Sequence, residues 1–150
     1  NLVYYASPLH DIGKMGVPDS ILLKPDRLTP EELEQMQGHP RLGYEVLKDA
    51  ANPYLKAGAV IALTHHERYD GSGYPQGLVG GEIPLFGQIV GLVDMLDALT
   101  TRRPYKEPWD LQTTLSYLES EKDRLFQARL IETLVAHFDE VSAIYEANRG

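Results

Sequence analysis

Apolar residues recur at helical spacing along most of the chain, and no stretch of useful length alternates apolar with polar residues as a half-buried strand would. The segment from Leu2 to Ala6 has the composition of a packed helix interior. Between Leu33 and Leu47 the apolar positions follow a helical period, but Gly38-His39-Pro40 interrupts them and predicts a break or kink. Residues 54–66 predict a largely buried helix that ends near His66. These patterns predict an all-α fold.

Residues typical of helix N-termini predict where the other helices begin. Thr29-Pro30-Glu31-Glu32 combines an N-cap residue, a proline at the first helical position and acids in the first turn, so a helix should begin there. Pro84 should open a helix in which nearly every position is apolar, except Gln88, Asp94 and Asp97. The remaining apolar positions predict one helix that begins at Pro108 and Trp109 and a last helix from about Gln127 to Ala147.

A glycine-rich segment separates two of these helices. Residues 68–82 contain five glycines and Pro75, which predicts a long structured loop rather than a regular element. Long loops in compact domains are usually functional or disordered. Tyr74 lies within this loop, and its position there favours a binding role.

Composition and charge limit the possible functions. With 150 residues and 43% hydrophobic content, the chain fits one domain that covers residues 1–150. The net charge of -8 argues against a nucleic-acid polymer as the partner, because binding a polyanion requires a broad basic surface. A phosphate-bearing substrate would therefore need local positive charge, which bound divalent cations can supply. The absence of cysteine excludes disulfides and thiolate metal sites.

The hydropathy of the chain also indicates where in the cell the domain is expected. No apolar stretch approaches the ~18–20 residues that a spanning helix needs, and the first residues lack the basic and apolar segments of a signal peptide. We therefore expect a cytoplasmic domain that makes no membrane contact of its own, in a parent protein that could itself be membrane-attached.

Imidazoles and carboxylates recur in four separated segments and form a metal-ligand inventory. They are His10-Asp11, His39, His65-His66 and Asp94. Histidine and aspartate bind first-row divalent metals well, and a carboxylate can place one oxygen on each of two ions, which makes Asp11 the natural bridging candidate. An ionised Asp94 on an apolar helix would be costly without a metal or an ion-pair partner.

Each member of this inventory also has a structural interpretation. A single histidine near a kink, such as His39, is more often a surface or capping residue, and an adjacent histidine pair is equally compatible with either role. Lys14 follows the His10-Asp11 pair by one turn and is a candidate to contact a phosphate oxygen or to protonate a leaving alkoxide; a solvated lysine is the alternative. Arg102, Arg103 and Lys106 form a compact basic cluster, suited to phosphate or simply to a helix C-terminus.

Four strings together resemble the HD-GYP domain, a branch of the HD phosphohydrolase superfamily. They are His10-Asp11-Ile12-Gly13-Lys14, His65-His66-Glu67-Arg68, Gly71-Ser72-Gly73-Tyr74-Pro75, and Asp94-Met95-Leu96-Asp97-Ala98-Leu99 followed by Arg103-Pro104-Tyr105-Lys106. The resemblance implies an HD-type helical bundle with two divalent metal ions, or three in some members. These are often iron or manganese, and other divalent metals are compatible. It also implies hydrolysis of the second messenger cyclic di-GMP to linear pGpG, and in some members onward to GMP.

The resemblance also implies a role for each matching residue. One metal would be held by His10, Asp11 and Asp94, and the second by Asp11, His39, His65 and His66. Asp11 and Lys14 would be catalytic, with Lys14 at the substrate phosphate. Arg103 and Lys106 would contact the substrate phosphates and guanine region, and Tyr74 would line the substrate site. The loop formed by Gly73, Tyr74 and Pro75 would also contact protein partners.

The chain departs from the family pattern in one respect. Family members carry a further histidine, and three-metal members a glutamate, on a helix before the HD pair, and this chain starts after that point. We therefore expect N-terminal helices and an upstream sensor or receiver domain to be missing from residues 1–150, and one metal to lack a ligand here. Two alternatives stay open: an HD-type hydrolase of another nucleotide, and a catalytically impaired regulatory module that binds partners.

Overall fold

The computed structural model describes residues 1–104 and 106–149, and they fold into helices joined by short 3-10 turns and one long loop. Within those ranges there is no strand, only isolated bridges, which confirms the predicted all-α class. The helices are α1 (Leu2–Ala6), α2 (Asp19–Leu22), α3 (Pro30–Met36), α4 (His39–Leu47), α5 (Pro53–Thr64), α6 (Leu85–Thr100), α7 (Leu111–Ser120), α8 (Ala128–Ala136) and α9 (Phe138–Asn148). The 3-10 turns are Ser7–Leu9, Ile12–Gly16 and Gly80–Glu82.

The start of α3 and the break before α4 follow the sequence signals. The Thr29 hydroxyl accepts a hydrogen bond from the Glu32 backbone N–H at 3.2 Å, and the Glu32 carboxylate accepts one from the Thr29 backbone N–H at 2.8 Å. This reciprocal capping box confirms the predicted start. Helix α3 ends at Met36 and α4 begins at His39, so the predicted break is also confirmed. Pro40 is tolerated because its missing N–H falls in the first turn of α4.

Helix α5 lies at the centre of the amino-terminal half, where it packs against α1, α4 and α6. The turn Ile12–Gly16 packs closely on α4. Gly13 makes this approach possible, because a Cβ atom at that position would overlap the carbonyl oxygen of His39. The close contact brings the His10-Asp11 pair to the first turn of α4.

Two hydrophobic clusters share α6. The first contains Ala6, Ala57, Ile61 and Val90, and the second contains Leu92, Leu111, Leu115, Leu118, Phe126 and Ile131. Because Val90 and Leu92 belong to different clusters, α6 connects the amino-terminal helices to α7 and α8.

Three details of the helix predictions were wrong. Residues 2–6 form a helix, but only Ala6 is buried there; Tyr4 is 71% exposed and Tyr5 is 62% exposed. Helix α7 begins at Leu111 rather than at Pro108 and Trp109, because the Asp110 carboxylate accepts a hydrogen bond from Thr113 N–H at 2.7 Å and caps the helix.

The third error concerns the last helix, which is divided at His137 into α8 and α9. The backbone of His137 leaves the helical region with ψ of 30°, and its ring Nδ1 donates to the carbonyl oxygen of Thr133 at 2.8 Å. The bend allows Leu134 of α8 and both Val141 and Tyr145 of α9 to pack on the same hydrophobic cluster.

Across the described ranges, every helix is too short or too polar to cross a lipid bilayer.

The close packing at Gly13 predicts a stability effect. Gly13→Ala should lower the free energy of unfolding by ~1–3 kcal/mol or more, because the added methyl group meets rigid backbone. Gly81→Ala is the matched control, since a Cβ atom there meets no heavy atom within 4 Å. Urea denaturation of both variants measures the difference; equal stability would contradict the packing described here.

Candidate metal centre

The candidate ligands lie mainly at helix ends, where adjacent side chains can turn toward one point. His10 follows the turn Ser7–Leu9, and Asp11 precedes the turn Ile12–Gly16. His39 is the first residue of α4, and His65 and His66 directly follow α5. Asp94 alone comes from a helix interior, that of α6. The structure therefore brings together all six residues that the sequence singled out.

Asp11 lies at the centre of the cluster. Its Oδ1 atom is 3.2 Å from His39 Nε2 and 3.5 Å from His65 Nε2, while its Oδ2 atom is 3.2 Å from His10 Nε2. His10 Nε2 is also 3.3 Å from Asp94 Oδ1. The two oxygens of one carboxylate therefore face two different groups of ligands.

Those groups have the composition of metal sites. Asp11, His39, His65 and His66 form one group, and His10, Asp11 and Asp94 form the other. Within each group, the candidate ligand atoms lie within 4.8 Å of one another. Nitrogen and carboxylate donors of this kind suit first-row divalent metals, and the shared Asp11 has the position of a bridge.

Backbone carbonyls set the orientation of three imidazoles. Nδ1 of His10 lies 2.7 Å from the carbonyl oxygen of Ser7, Nδ1 of His39 lies 2.7 Å from that of Met36, and Nδ1 of His65 lies 3.0 Å from that of Ala62. A carbonyl oxygen can only accept, so each Nδ1 carries a hydrogen and each Nε2 is free to bind a cation.

The buried atoms at the centre have no hydrogen-bond partner among the described residues. These atoms are Asp11 Oδ1, His39 Nε2 and His65 Nε2. Their lone pairs face one another, which is unfavourable unless a positive charge lies between them. The side chains therefore fit divalent metal ions.

The pKa values of the cluster reflect its burial and its close imidazole–carboxylate contacts. The carboxylates of Asp11 and Asp94 raise the pKa of His10 to about 10. Burial opposes ionisation of Asp11, but the imidazoles of His10, His39 and His65 outweigh it and hold the pKa of Asp11 far below its usual range. Burial, with the charges of His65 and His39, lowers the pKa of His66 to about 2. The neutral form of His66 is the form that binds metal.

One side of the centre is closed and the other is open. His39 and His65 are buried, whereas His10, Asp11 and Asp94 are half-buried. A cavity of about 360 Å³ adjoins His10 and Asp94. The side with His10 and Asp94 is therefore the one that is accessible to small molecules.

The glycine-rich loop covers His66. Tyr74 stacks on the His66 ring with a centroid distance of 4.9 Å and an interplanar angle of 14°. The backbone N–H of Tyr74 donates to the carbonyl oxygen of His66 at 3.2 Å. Gly73 allows this close turn, because a Cβ atom there would overlap the same carbonyl oxygen. Burial raises the pKa of Tyr74 to about 12.

Sequence reasoning missed Glu67. Its buried carboxylate accepts hydrogen bonds from Gln76 N–H at 2.7 Å and from Leu78 N–H at 3.0 Å. These bonds reach 9 and 11 residues along the chain and hold the glycine-rich loop against the end of α5. The only signal was an acid between the histidine pair and the glycines, and that signal does not reveal a contact with backbone.

The basic residues have different positions. Lys14 Nζ lies 3.0 Å from Asp11 Oδ2, so it borders the cluster. Lys106 Nζ lies 4.7 Å from the Trp109 ring centroid, and the Lys106 backbone pairs with that of the exposed Arg103. Across residues 1–104 and 106–149, neither Arg103 nor Lys106 forms an ion pair with the cluster. Tyr105, part of the same string, lies outside the described residues.

Comparisons with known proteins identify the family of this chain. A family model described as HD domain matches residues 1–130. The chain is 52% identical over 134 residues to the cyclic di-GMP phosphodiesterase response regulator RpfG of Xanthomonas campestris pv. campestris, covering 89% of this chain and 35% of that protein. It is 43% identical over 144 residues to 3'3'-cGAMP-specific phosphodiesterase 2 of Vibrio cholerae, covering 96% of this chain and 28% of that protein. The chain thus spans about a third of the length of these relatives.

A solved structure confirms the HD-type helical fold. A cyclic GMP-AMP specific phosphodiesterase of Vibrio cholerae superposes with a TM-score of 0.65 at 14% sequence identity, covering 96% of this chain and 39% of the other. This likeness concerns the fold alone. The matched family model, the 52% identity and the motif strings at His10-Asp11 and Gly73-Tyr74-Pro75 show that the chain belongs to the HD domain family, in its HD-GYP branch.

Proposed function

We propose that this domain is the catalytic module of a phosphodiesterase that hydrolyses cyclic di-GMP to linear pGpG. The observation that carries the proposal is the convergence of His and Asp ligand atoms on Asp11, with buried Nε2 and Oδ1 atoms lacking partners among the described residues. The 52% identity to a protein named a cyclic di-GMP phosphodiesterase supports the substrate class.

Two divalent ions, iron or manganese, are the proposed cofactors. Asp11, His39, His65 and His66 would hold one ion. The other would be held by His10, Asp11 and Asp94, a smaller set that leaves room for a further ligand. When bound, such ions supply a water nucleophile of lowered pKa and positive charge for the phosphoryl group.

The reaction places definite demands on the protein. The attacking water would lose one proton to solvent while its oxygen forms a bond to phosphorus; the bond from phosphorus to the ribose 3'-oxygen would break, and that oxygen would take up one proton. Asp11 would fix the relative position of the two ligand groups, because one of its oxygens faces each group. Lys14 lies 3.0 Å from Asp11, where its ammonium group would contact a phosphate oxygen or supply the proton to the leaving oxygen.

Substrate contacts beyond the phosphate are assigned to Tyr74, Arg103 and Lys106. Tyr74 lines the centre through its stack on His66. Arg103 and Lys106 share one turn after α6, the helix that carries Asp94, and their charges suit a second phosphate or a guanine edge. The net charge of -8 makes such local cations necessary for a dianionic substrate.

A second candidate substrate is 3'3'-cGAMP, because a relative named for it is 43% identical over 96% of this chain. The two cyclic dinucleotides share both phosphodiester linkages and differ in one base, so the same metal centre would serve either.

A protein partner at the loop of Gly73, Tyr74 and Pro75 also stays a prediction. Ser72 and Gln76 are exposed beside that segment, whereas Tyr74 is turned inward.

The substrate assignment predicts a ranking. Full-length protein loaded with iron or manganese should hydrolyse cyclic di-GMP with a higher kcat/KM than 3'3'-cGAMP, and pGpG should accumulate first. Product analysis by liquid chromatography on both substrates measures this. The reverse ranking would select 3'3'-cGAMP, and binding of partners without turnover of either would favour the regulatory alternative.

The bridging position of Asp11 predicts an asymmetry between two carboxylates. Asp11→Asn should reduce the occupancy of both metals, whereas Asp94→Asn should reduce that of one, because only Asp11 belongs to both groups. Turnover of Asp11→Asn should fall by more than the ~10- to 100-fold that loss of an outer-shell partner costs.

Elemental analysis and turnover on the same full-length samples test this asymmetry, with Asp139→Asn on the exposed face of α9 as the control. Full metal content and unchanged turnover in Asp11→Asn would refute the proposed centre.

Lys14 should contribute to chemistry rather than to metal binding. Lys14→Met should lower kcat by about 10²-fold or more while metal content stays at the wild-type level. Lys48→Met is a matched control: both lysines are 37% exposed and pair with an acid three residues earlier, at 3.0 Å for Lys14 and 2.6 Å for Lys48. Steady-state kinetics measure kcat for both variants. Equal kcat values would show that Lys14 has no role in the reaction.

A further inference from the structure

Glu67 carries a buried negative charge that the metal centre does not use. The residue is 3% exposed, and its carboxylate has no cation within ion-pair distance in the part of the chain that the structure describes. Each oxygen accepts one backbone hydrogen bond, Oε1 from Gln76 and Oε2 from Leu78. Since a buried carboxylate is costly without such bonds, these two amides are what make its burial tolerable.

These contacts fix the far side of the loop that carries Tyr74. Glu67 follows His66 in the chain, and the amides that it binds lie two and four residues after Tyr74. On the near side, the Tyr74 N–H binds the His66 carbonyl oxygen at 3.2 Å. The segment from Tyr74 to Leu78 is therefore attached at both ends to residues 66 and 67.

His66 differs from the other histidines of the cluster. The rings of His10, His39 and His65 are each held by a backbone carbonyl at Nδ1. Within residues 1–104 and 106–149, no hydrogen bond holds the ring of His66. Its ring contacts other rings instead: it stacks on Tyr74 at 4.9 Å with an interplanar angle of 14°, and it meets His65 at 4.1 Å and His39 at 5.0 Å at steeper angles.

We infer that Glu67 is a positioning residue that orients His66 through Tyr74. The Glu67 carboxylate holds the loop that carries Tyr74, and the loop fixes the position of the Tyr74 ring. That ring then restrains the His66 imidazole, whereas a backbone hydrogen bond restrains each of the other three imidazoles. Glu67 is not itself a metal ligand, because both of its oxygens are directed at backbone amides. The inference rests on the proposed metal-dependent function and adds an outer-shell partner to it.

Glu67→Gln tests this role in the full-length protein. The glutamine keeps the shape of the side chain but offers one acceptor oxygen, so one of the two amides meets an NH₂ group. Glu82→Gln is the matched control, because the exposed Glu82 carboxylate accepts a hydrogen bond from Val79 N–H at 3.0 Å in the same loop. Both substitutions remove one charge, but the glutamine oxygen at position 82 can keep the single contact there, whereas one of the two contacts at position 67 is lost.

Amide hydrogen exchange by NMR gives the readout that is independent of catalysis. In the wild type, the Gln76 and Leu78 amides should exchange more slowly than the Ser72 amide, whose acceptor Asp70 is exposed. Glu67→Gln should accelerate exchange at Gln76 or Leu78 by about ten-fold or more, and Glu82→Gln should not. Unchanged exchange in Glu67→Gln would overturn the inference.

Metal affinity tests the link to His66. Glu67→Gln and Tyr74→Ala should each weaken metal binding by about ten-fold. If Glu67 acts through Tyr74, the double variant should bind metal about as tightly as Tyr74→Ala alone. Additive losses would show that Glu67 acts independently and would refute the proposed chain of contacts.

The outcomes separate this inference from the proposed activity. If the wild type fails to hydrolyse cyclic dinucleotides but exchange and metal affinity respond as expected, the proposed function fails and the positioning role stands. If Glu67→Gln does not fold, the wild-type exchange measurement decides: Gln76 and Leu78 amides that exchange as fast as that of Ser72 would overturn the role.

Discussion

The site depends on the close approach of imidazole and carboxylate lone pairs at Asp11. Three imidazoles whose Nδ1 atoms are bound to backbone carbonyls direct their Nε2 atoms at one carboxylate, at distances of 3.2–3.5 Å. Two of these nitrogens and one carboxylate oxygen are buried without hydrogen-bond partners among the described residues. Added positive charge would stabilise such an arrangement, and divalent metal ions would supply it.

The fold brings these lone pairs together by placing several helix ends around Asp11. An adjacent pair of side chains on a helix points in directions about 100° apart, so a continuous helix would direct His65 and His66 away from each other. Both residues follow the last turn of α5, and His39 begins α4 after the break at Gly38. The glycine-rich loop then closes over the pair and places Tyr74 on His66.

Much of this arrangement could be predicted from sequence because its signals are local. The capping box at Thr29, the break before His39 and the glycines after His66 each depend on neighbouring residues. The six candidate ligands were recognised by residue type and by their resemblance to a known family. The structure shows that they are close together, while their roles in binding metal stay a prediction.

Other features depend on contacts that sequence patterns do not encode. The bend at His137 has no proline or glycine, and it arises because both flanking helices pack on one cluster. Glu67 binds amides 9 and 11 residues away, so its role is visible only when the loop is folded.

The shared helix α6 ties the two halves of the centre to different parts of the molecule. Asp94 lies one turn beyond Val90 and two residues after Leu92, on the segment of α6 where the two hydrophobic clusters meet. Its position relative to His10 is therefore set jointly by α5 and by α7 and α8. His39 and His65, in contrast, lie at the ends of α4 and α5, which pack against each other in the amino-terminal half. Loosening of the carboxyl-terminal helices would therefore change the distance between Asp94 and His10, and it would also reach the loop after His66, because Tyr69 N–H and Asp70 N–H donate to the carbonyl oxygens of Leu125 and Arg124.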